Sequence, residues 1–190
     1  VIIYYTREFS GGQSGSHRLL ESAIGAYTGN KAGALVRAMR TGEKGKPYID
    51  SFDFFSISHT GSAWAVLISE AECGLDIQET RKCNMLSVAG RFYHPDDAAS
   101  VEAALREDEV QGADMFFRLW ARREALVKAA GGSAADSSVP SVLTDAVRMD
   151  GIDYIIRDVS IPGMSELHAA VCLSGTETEP LRFEELGSGR

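Results

Sequence analysis

The apolar positions follow two periods along the chain, and their alternation predicts a mixed fold. "VIIYY" (1–5) is rich in β-branched and aromatic residues and reads as a strand. "SHRLLESAIGAY" (16–27) has helical spacing, with Gly29-Asn30 as its stop. "TGEKGKPY" (41–48) is a Gly/Pro/Lys loop. "FDFFSISHT" (52–60) and "SAWAVLIS" (62–69) predict two strands joined by a turn at Thr60-Gly61. "ECGLDIQET" (72–80) continues as a short strand, with Leu75 and Ile77 on one side and Asp76 and Gln78 on the other. Helices are predicted over 84–93, 97–110 and 113–130, then a loop over 131–138. Strands follow near 141–148, 152–159 and 166–173, and "EPLRFEELGSGR" reads as a polar, frayed end. "SAWAVLIS" and "ELHAAVCLS" share a faint pattern of small, apolar, Val, apolar, Ser, which hints at two related α+β halves.

Composition narrows the function classes. Hydrophobic content of 44% and charged content of 24% are ordinary for a globular domain, and 190 residues can bury a core without staples. The net charge of −8 argues against general nucleic-acid binding, although a local basic patch on an acidic protein can still meet an acidic partner. Cys73, Cys83 and Cys172 form no C-x-x-C pair and leave one thiol over in any disulfide scheme, so a reducing, cytoplasmic compartment is expected. The longest apolar runs are too short to cross a bilayer, and no membrane role is expected.

Four stretches carry candidate chemistry. Phe116, Trp120, Glu124 and Lys128 stand at steps of four on one predicted helix. Alone, Glu124 and Lys128 make a surface pair worth about 0.2–0.5 kcal/mol, with Arg122 and Arg123 as solvated neighbours and Trp120 as a packing anchor. In "FSISHTG", Ser58, His59 and Thr60 sit at a strand end, either as edge-strand residues or as hydroxyls and an imidazole that hold phosphate oxygens. Asp76 in "GLDIQ" is either a turn residue or a ligand for a hard cation such as Mg²⁺. Lys44 and Lys46 in "GEKGKP" are either solvated or placed to meet a nucleotide.

Taken in order, G-K-P, F-S-I-S-H-T-G, G-L-D-I and F-F-x-x-W-x-x-x-E-A-x-x-K-A-x-G resemble the 4′-phosphopantetheinyl transferases. The likeness is to the larger, monomeric class of two similar halves often called the Sfp type, and it runs from about residue 17 to 132. The resemblance implies an α+β pseudo-dimer that transfers the phosphopantetheine arm of coenzyme A to a serine of an apo acyl or peptidyl carrier protein and releases adenosine 3′,5′-bisphosphate. The expected division is an N-terminal half over 1–75, a C-terminal half over 76–182 and a polar tail over 183–190.

Carried over residue by residue, Asp76 and Glu124 are the expected metal ligands for Mg²⁺, or Mn²⁺ in its place. Glu124 is also the proposed base, and Lys128 meets the transferred phosphate. Lys46, Pro47, Ser58, His59, Thr60 and, loosely, Arg18 are expected to contact coenzyme A. Arg81, Lys82 and Arg91 are candidates for docking an acidic carrier. Two positions depart from the family pattern. Gln78 stands where a third acidic residue is common, so it would serve the metal weakly or through water. Arg123 replaces a lysine and keeps its charge. Two rival readings are a coenzyme-binding homologue without efficient transfer, which Gln78 favours, and a metal-dependent phosphohydrolase, which lacks a second Asp/His cluster.

Overall fold

Every residue of β1 (Ile2–Thr6) is buried, because both faces of its sheet are covered. Ile2 and Tyr4 pack with α1 (Gln13–Thr28), while Ile3 and Tyr5 face a second sheet. The computed structural model describes residues 1–42, 45–132, 138–175 and 180–187. After α1 come α2 (Gly33–Arg37), β2 (Arg40–Thr41), β3 (Pro47–Tyr48), β4 (Phe54–Thr60), β5 (Ala63–Ser69) and β6 (Cys73–Glu79). Then follow α3 (Met85–Phe92), α4 (Pro95–Glu107), α5 (Glu109–Ala129), β7 (Ala146–Met149), β8 (Ile152–Val159), β9 (Leu167–Ser174) and β10 (Arg182–Glu185).

Two four-stranded sheets have the orders β10-β1-β5-β4 and β6-β9-β8-β7. They share a connectivity. In each, a first strand leads through helix to an antiparallel hairpin, and the first strand pairs with the hairpin's second strand: β1 with β5, and β6 with β9. The sheets face each other across Ala65, Leu67, Leu75, Ile77, Val171 and Leu173. α1 covers the outer face of the first sheet, and α5 covers that of the second, with α3 and α4 packed against α5. Full burial of large side chains such as Trp64, Leu67 and Leu75 contributes about 1.5–3 kcal/mol each. Among the described residues, no helix is long and apolar enough to cross a membrane.

Several expectations are corrected. The segment expected as a tail supplies β10, which runs parallel to β1, and Leu186 behind it is buried. β6 lies whole in the second sheet, so a division at 75/76 would cut a strand. The break between α4 and α5 falls at Asp108, whose carboxylate accepts from the Gln111 N–H, not at 111–112. Gly112 lies inside α5 because Leu105 of α4 occupies the place of a Cβ, 2.6 Å away. β7 begins at Ala146 rather than 141. The preceding residues hold Arg122 and Asp97 instead of pairing in a ladder: Arg122 donates to the Val142 and Thr144 carbonyls, and Asp97 accepts from the Val142 N–H. Lys44, most of the loop over 131–138 and the last three residues lie outside the described residues.

α5 is the element that positions the site. It ends in a Schellman arrangement, with Gly131 left-handed, Gly132 N–H donating to the Val127 carbonyl and Gly131 N–H to that of Lys128. It lies directly on β6 at Gly74, where a Cβ would come within 1.9 Å of the Ala125 carbonyl oxygen and 2.6 Å of the Ala129 nitrogen. Gly74→Ala is expected to lower the unfolding free energy by about 3 kcal/mol or more, because helix backbone must move. Gly90→Ala, inside α3 with nothing near the added carbon, is expected to raise it by about 0.5–1 kcal/mol. Urea unfolding of both variants checks the pair.

Candidate functional site

Strand alternation turns Asp76 towards α5, and the helical step of four puts Glu124 and Lys128 on the α5 face above it. The Lys128 ammonium donates to Asp76 Oδ1 at 2.7 Å and to the Leu75 carbonyl at 3.0 Å. Glu124, one turn earlier, is mostly buried, its side chain 14% exposed. Burial pushes its carboxyl above the usual range, and the nearby Asp76 charge pushes it further; Lys128 and Arg123 pull the other way. The predicted triad of Asp76, Glu124 and Lys128 is therefore one cluster. Trp120 completes the row as an anchor, its ring packed among Phe92, Tyr93 and Phe116.

The other expected residues fall into separate places. Lys46 reaches across from the glycine loop and donates to the Ala129 carbonyl at 2.9 Å, at the negative end of α5. This brings Lys46 and Pro47 beside Lys128, and with Gly131 and Gly132 they line a cleft of about 220 Å³. Thr60 ends β4, half-buried. His59 is exposed on the opposite face of β4 from Ser58, its ring 5.1 Å from that of Phe9. Phe9 and Arg18 line a second cleft beside α1, whose lining includes neither Asp76 nor Glu124. Gln78 shares the Asp76 face, but its amide donates to the Glu79 carbonyl and it borders an apolar groove with Arg81, Phe117 and Trp120.

Three readings change. Ser58, expected to hold coenzyme, is 5% exposed, and its hydroxyl is committed to Asp76 Oδ1 and the Ile77 N–H. Arg122 and Arg123, which would be solvated neighbours if Glu124 and Lys128 were only a surface pair, are 3% and 2% exposed. Arg122 joins α5 to the residues before β7 and to Asp158; Arg123 sits inside, with one guanidinium nitrogen 3.4 Å from Glu124. Ser56 was missed. Its hydroxyl accepts from the Leu75 N–H, and the signal was the Ser-x-Ser spacing opposite two edge amides of β6.

The donor set suits a hard divalent cation. A mostly buried Glu124 with a second carboxylate nearby calls for a positive charge, which Lys128 now provides. Among the described residues, no group of three or more His, Cys, Asp or Glu side chains is placed to hold a metal ion by itself. An ion here would take Asp76 and Glu124 and draw its other ligands from water and phosphate, the usual Mg²⁺ pattern.

Residues 72–169, just over half of the chain, match the family model described as the 4′-phosphopantetheinyl transferase superfamily. The chain is 38% identical over 112 residues to the 4′-phosphopantetheinyl transferase AcpT of Salmonella typhimurium, covering 54% of this chain and 57% of that protein. It is 36% identical over 135 residues to AcpT of Escherichia coli K12, covering 69% and 63%. To the 4′-phosphopantetheinyl transferase Sfp of Bacillus subtilis 168 it is 31% identical over 94 residues, covering 48% and 40%. The chain thus matches between 40% and 63% of the length of these relatives.

Glu124 sets a pH test for the metal-free protein. Its folded pKa lies above the ordinary 4.5, so ionisation is penalised in the folded state alone. That penalty is fully present above the folded pKa and vanishes below 4.5, where the group is protonated in both states. In EDTA, Glu124→Gln is expected to melt at a higher temperature than wild type at pH 7. The difference should close as pH falls below about 4.5.

Proposed function

The chain belongs to the 4′-phosphopantetheinyl transferase superfamily, and on that premise we propose that it transfers the 4′-phosphopantetheine arm of coenzyme A to a serine hydroxyl of an apo acyl or peptidyl carrier protein. The observation that carries this reading is the cluster of Asp76, Glu124 and Lys128 within the matched region, beside a cleft rimmed by Lys46 and Lys128.

In this reading the serine oxygen bonds to the phosphorus of the pantetheine phosphate as the pyrophosphate bridge breaks, and adenosine 3′,5′-bisphosphate departs. Glu124 takes the serine proton, a task suited to a carboxylate whose pKa burial and the nearby Asp76 charge hold above its ordinary range. Lys128 places an ammonium on the phosphate oxygens, and Lys46 keeps two further N–H donors for the nucleotide. His59, Thr60 and Arg18 serve the nucleotide end, away from the carboxylates. Asp76 and Glu124 would hold Mg²⁺ or Mn²⁺, with Gln78 acting weakly or through water. The ion supplies charge neutralisation on the pyrophosphate.

The two sheets act as a pseudo-dimer with coenzyme A between its halves, a reading supported by their shared connectivity. An acidic carrier docks near Arg81, Lys82 and Arg91, beside the groove that holds Trp120. The protein works as a cytoplasmic monomer, without nucleic acid or membrane.

Intact mass spectrometry of several apo carriers incubated with coenzyme A, Mg²⁺ and this protein tests the proposal. A gain of one phosphopantetheine on at least one carrier is expected, and Asp76→Ala is expected to slow it by about a hundredfold or more. Coenzyme binding without mass gain on any carrier would favour the non-transferring homologue instead.

Gln78 gives a separate test. An amide oxygen attracts a divalent ion less than a carboxylate does, so the ion should bind mainly together with coenzyme A. Calorimetric titration of Mg²⁺ without coenzyme is expected to show roughly tenfold tighter binding for Gln78→Glu, without faster turnover. Equal affinity would mean that Gln78 does not face the ion.

A further inference from the structure

β4 and β6 are the facing edges of the two sheets, and serine hydroxyls join them where a backbone ladder would otherwise run. Phe55 packs into the α1 layer, which turns Ser56 and Ser58 towards β6. The outward N–H groups of Leu75 and Ile77 donate to Ser56 Oγ at 3.0 Å and Ser58 Oγ at 3.1 Å. Two residues along one strand thus match two residues along the other. The serines are alike in burial and in this structural duty, and they differ in one respect. Ser58 spends its single hydrogen on Asp76 Oδ1, at 2.9 Å. Lys128 donates to that same oxygen at 2.7 Å.

Two donors on one oxygen hold the carboxylate's rotation and leave Oδ2 as the open ligand. The Ile77 N–H polarises the hydroxyl that donates onward, so the backbone of β6 steadies the carboxylate on its own strand. We propose that Ser58 is a positioning residue: it orients Asp76 so that Oδ2 faces the ion, and it does not contact coenzyme A. The inference rests on the reading of Asp76 as a metal ligand.

Ser56 provides the control, because Ser56→Ala loses the matching edge-amide bond without touching Asp76. The experiment follows Mn²⁺ binding by loss of the free-ion electron paramagnetic resonance signal, in the presence of coenzyme A. Coenzyme binding in EDTA and thermal melting are measured alongside. Both alanine variants are expected to lower the melting temperature. Ser58→Ala alone is expected to weaken Mn²⁺ binding, by about tenfold or more, with Ser58→Thr restoring it to within about threefold. Coenzyme affinity in EDTA should be unchanged in all three.

If Ser58→Ala binds Mn²⁺ as wild type while Asp76→Ala does not, the positioning role is wrong and the metal ligand stands. If Asp76→Ala binds Mn²⁺ as wild type, the metal reading fails and takes the inference with it. If Ser58→Ala weakens coenzyme binding in EDTA, or if Ser56→Ala weakens Mn²⁺ as much, Ser58 is a phosphate contact or a purely structural residue and the proposal is overturned.

Discussion

The seating of α5 on β6 is the constraint from which the site follows. A packed helix is usually held off its neighbour by side chains on both surfaces, about 8–10 Å between axes for a pair of helices. Here Gly74 presents no side chain, and the helix backbone at Ala125 and Ala129 occupies the space of its missing Cβ. That contact draws the next inward residue of the strand, Asp76, to within one hydrogen bond of Lys128. It also buries Glu124 beside a second carboxylate and so raises its pKa. The glycine and the aspartate of "GLD" therefore work together: one permits the approach, and the other uses it.

A buried pair of carboxylates beside a buried guanidinium is an expensive arrangement. The chain offsets it by anchoring α5 on every side. Arg122 ties the helix to the residues before β7, and Lys46 binds its C-terminal carbonyl from the first half. Trp120 sits among three other rings. These anchors hold α5 against β6, so Asp76 and Glu124 stay mostly out of water. Stability is lost locally while the charged cluster is held in place, a trade often found where chemistry is done.

Much of this was legible in the sequence. Period-two and period-3.6 patterns located most of the strands and helices, and the step of four from Trp120 to Lys128 named the face of α5 that meets Asp76. What was not legible depended on contacts between distant segments. β10 is charged and short because an edge strand needs only one buried neighbour, so its composition reads as a tail. Arg122 and Arg123 look solvated in any helical pattern, since nothing local reveals the partners that α5 meets on its far side. Ser58 carries the phosphate-binding signature of a hydroxyl at a strand end, yet strand alternation and the edge of β6 assign it another task.

The faint repeat shows how sequence similarity and structural equivalence can part. β5 and β9 are equivalent as the second strands of their hairpins. Aligning the shared serine, Ser69 with Ser174, sets Val66 against Val171. Val66 faces α1, whereas Val171 lies between the sheets. A one-residue slip exchanges the faces of a strand, so the true correspondence is offset by one. In that register Val66 answers to Ala170, and their partners across the ladder, Tyr4 and Asp76, answer to each other. The two halves then differ at the surface each helix meets. α1 rests on Ile2, Tyr4, Trp64, Val66 and Ile68, which keep it at a distance behind a thick apolar layer. α5 meets Gly74, Asp76, Ala170 and Cys172, small enough for close approach. One connectivity used twice thus gives one wall that is only core and one that can hold charge, and the cluster of Asp76, Glu124 and Lys128 arises on the second because small side chains there leave room for it.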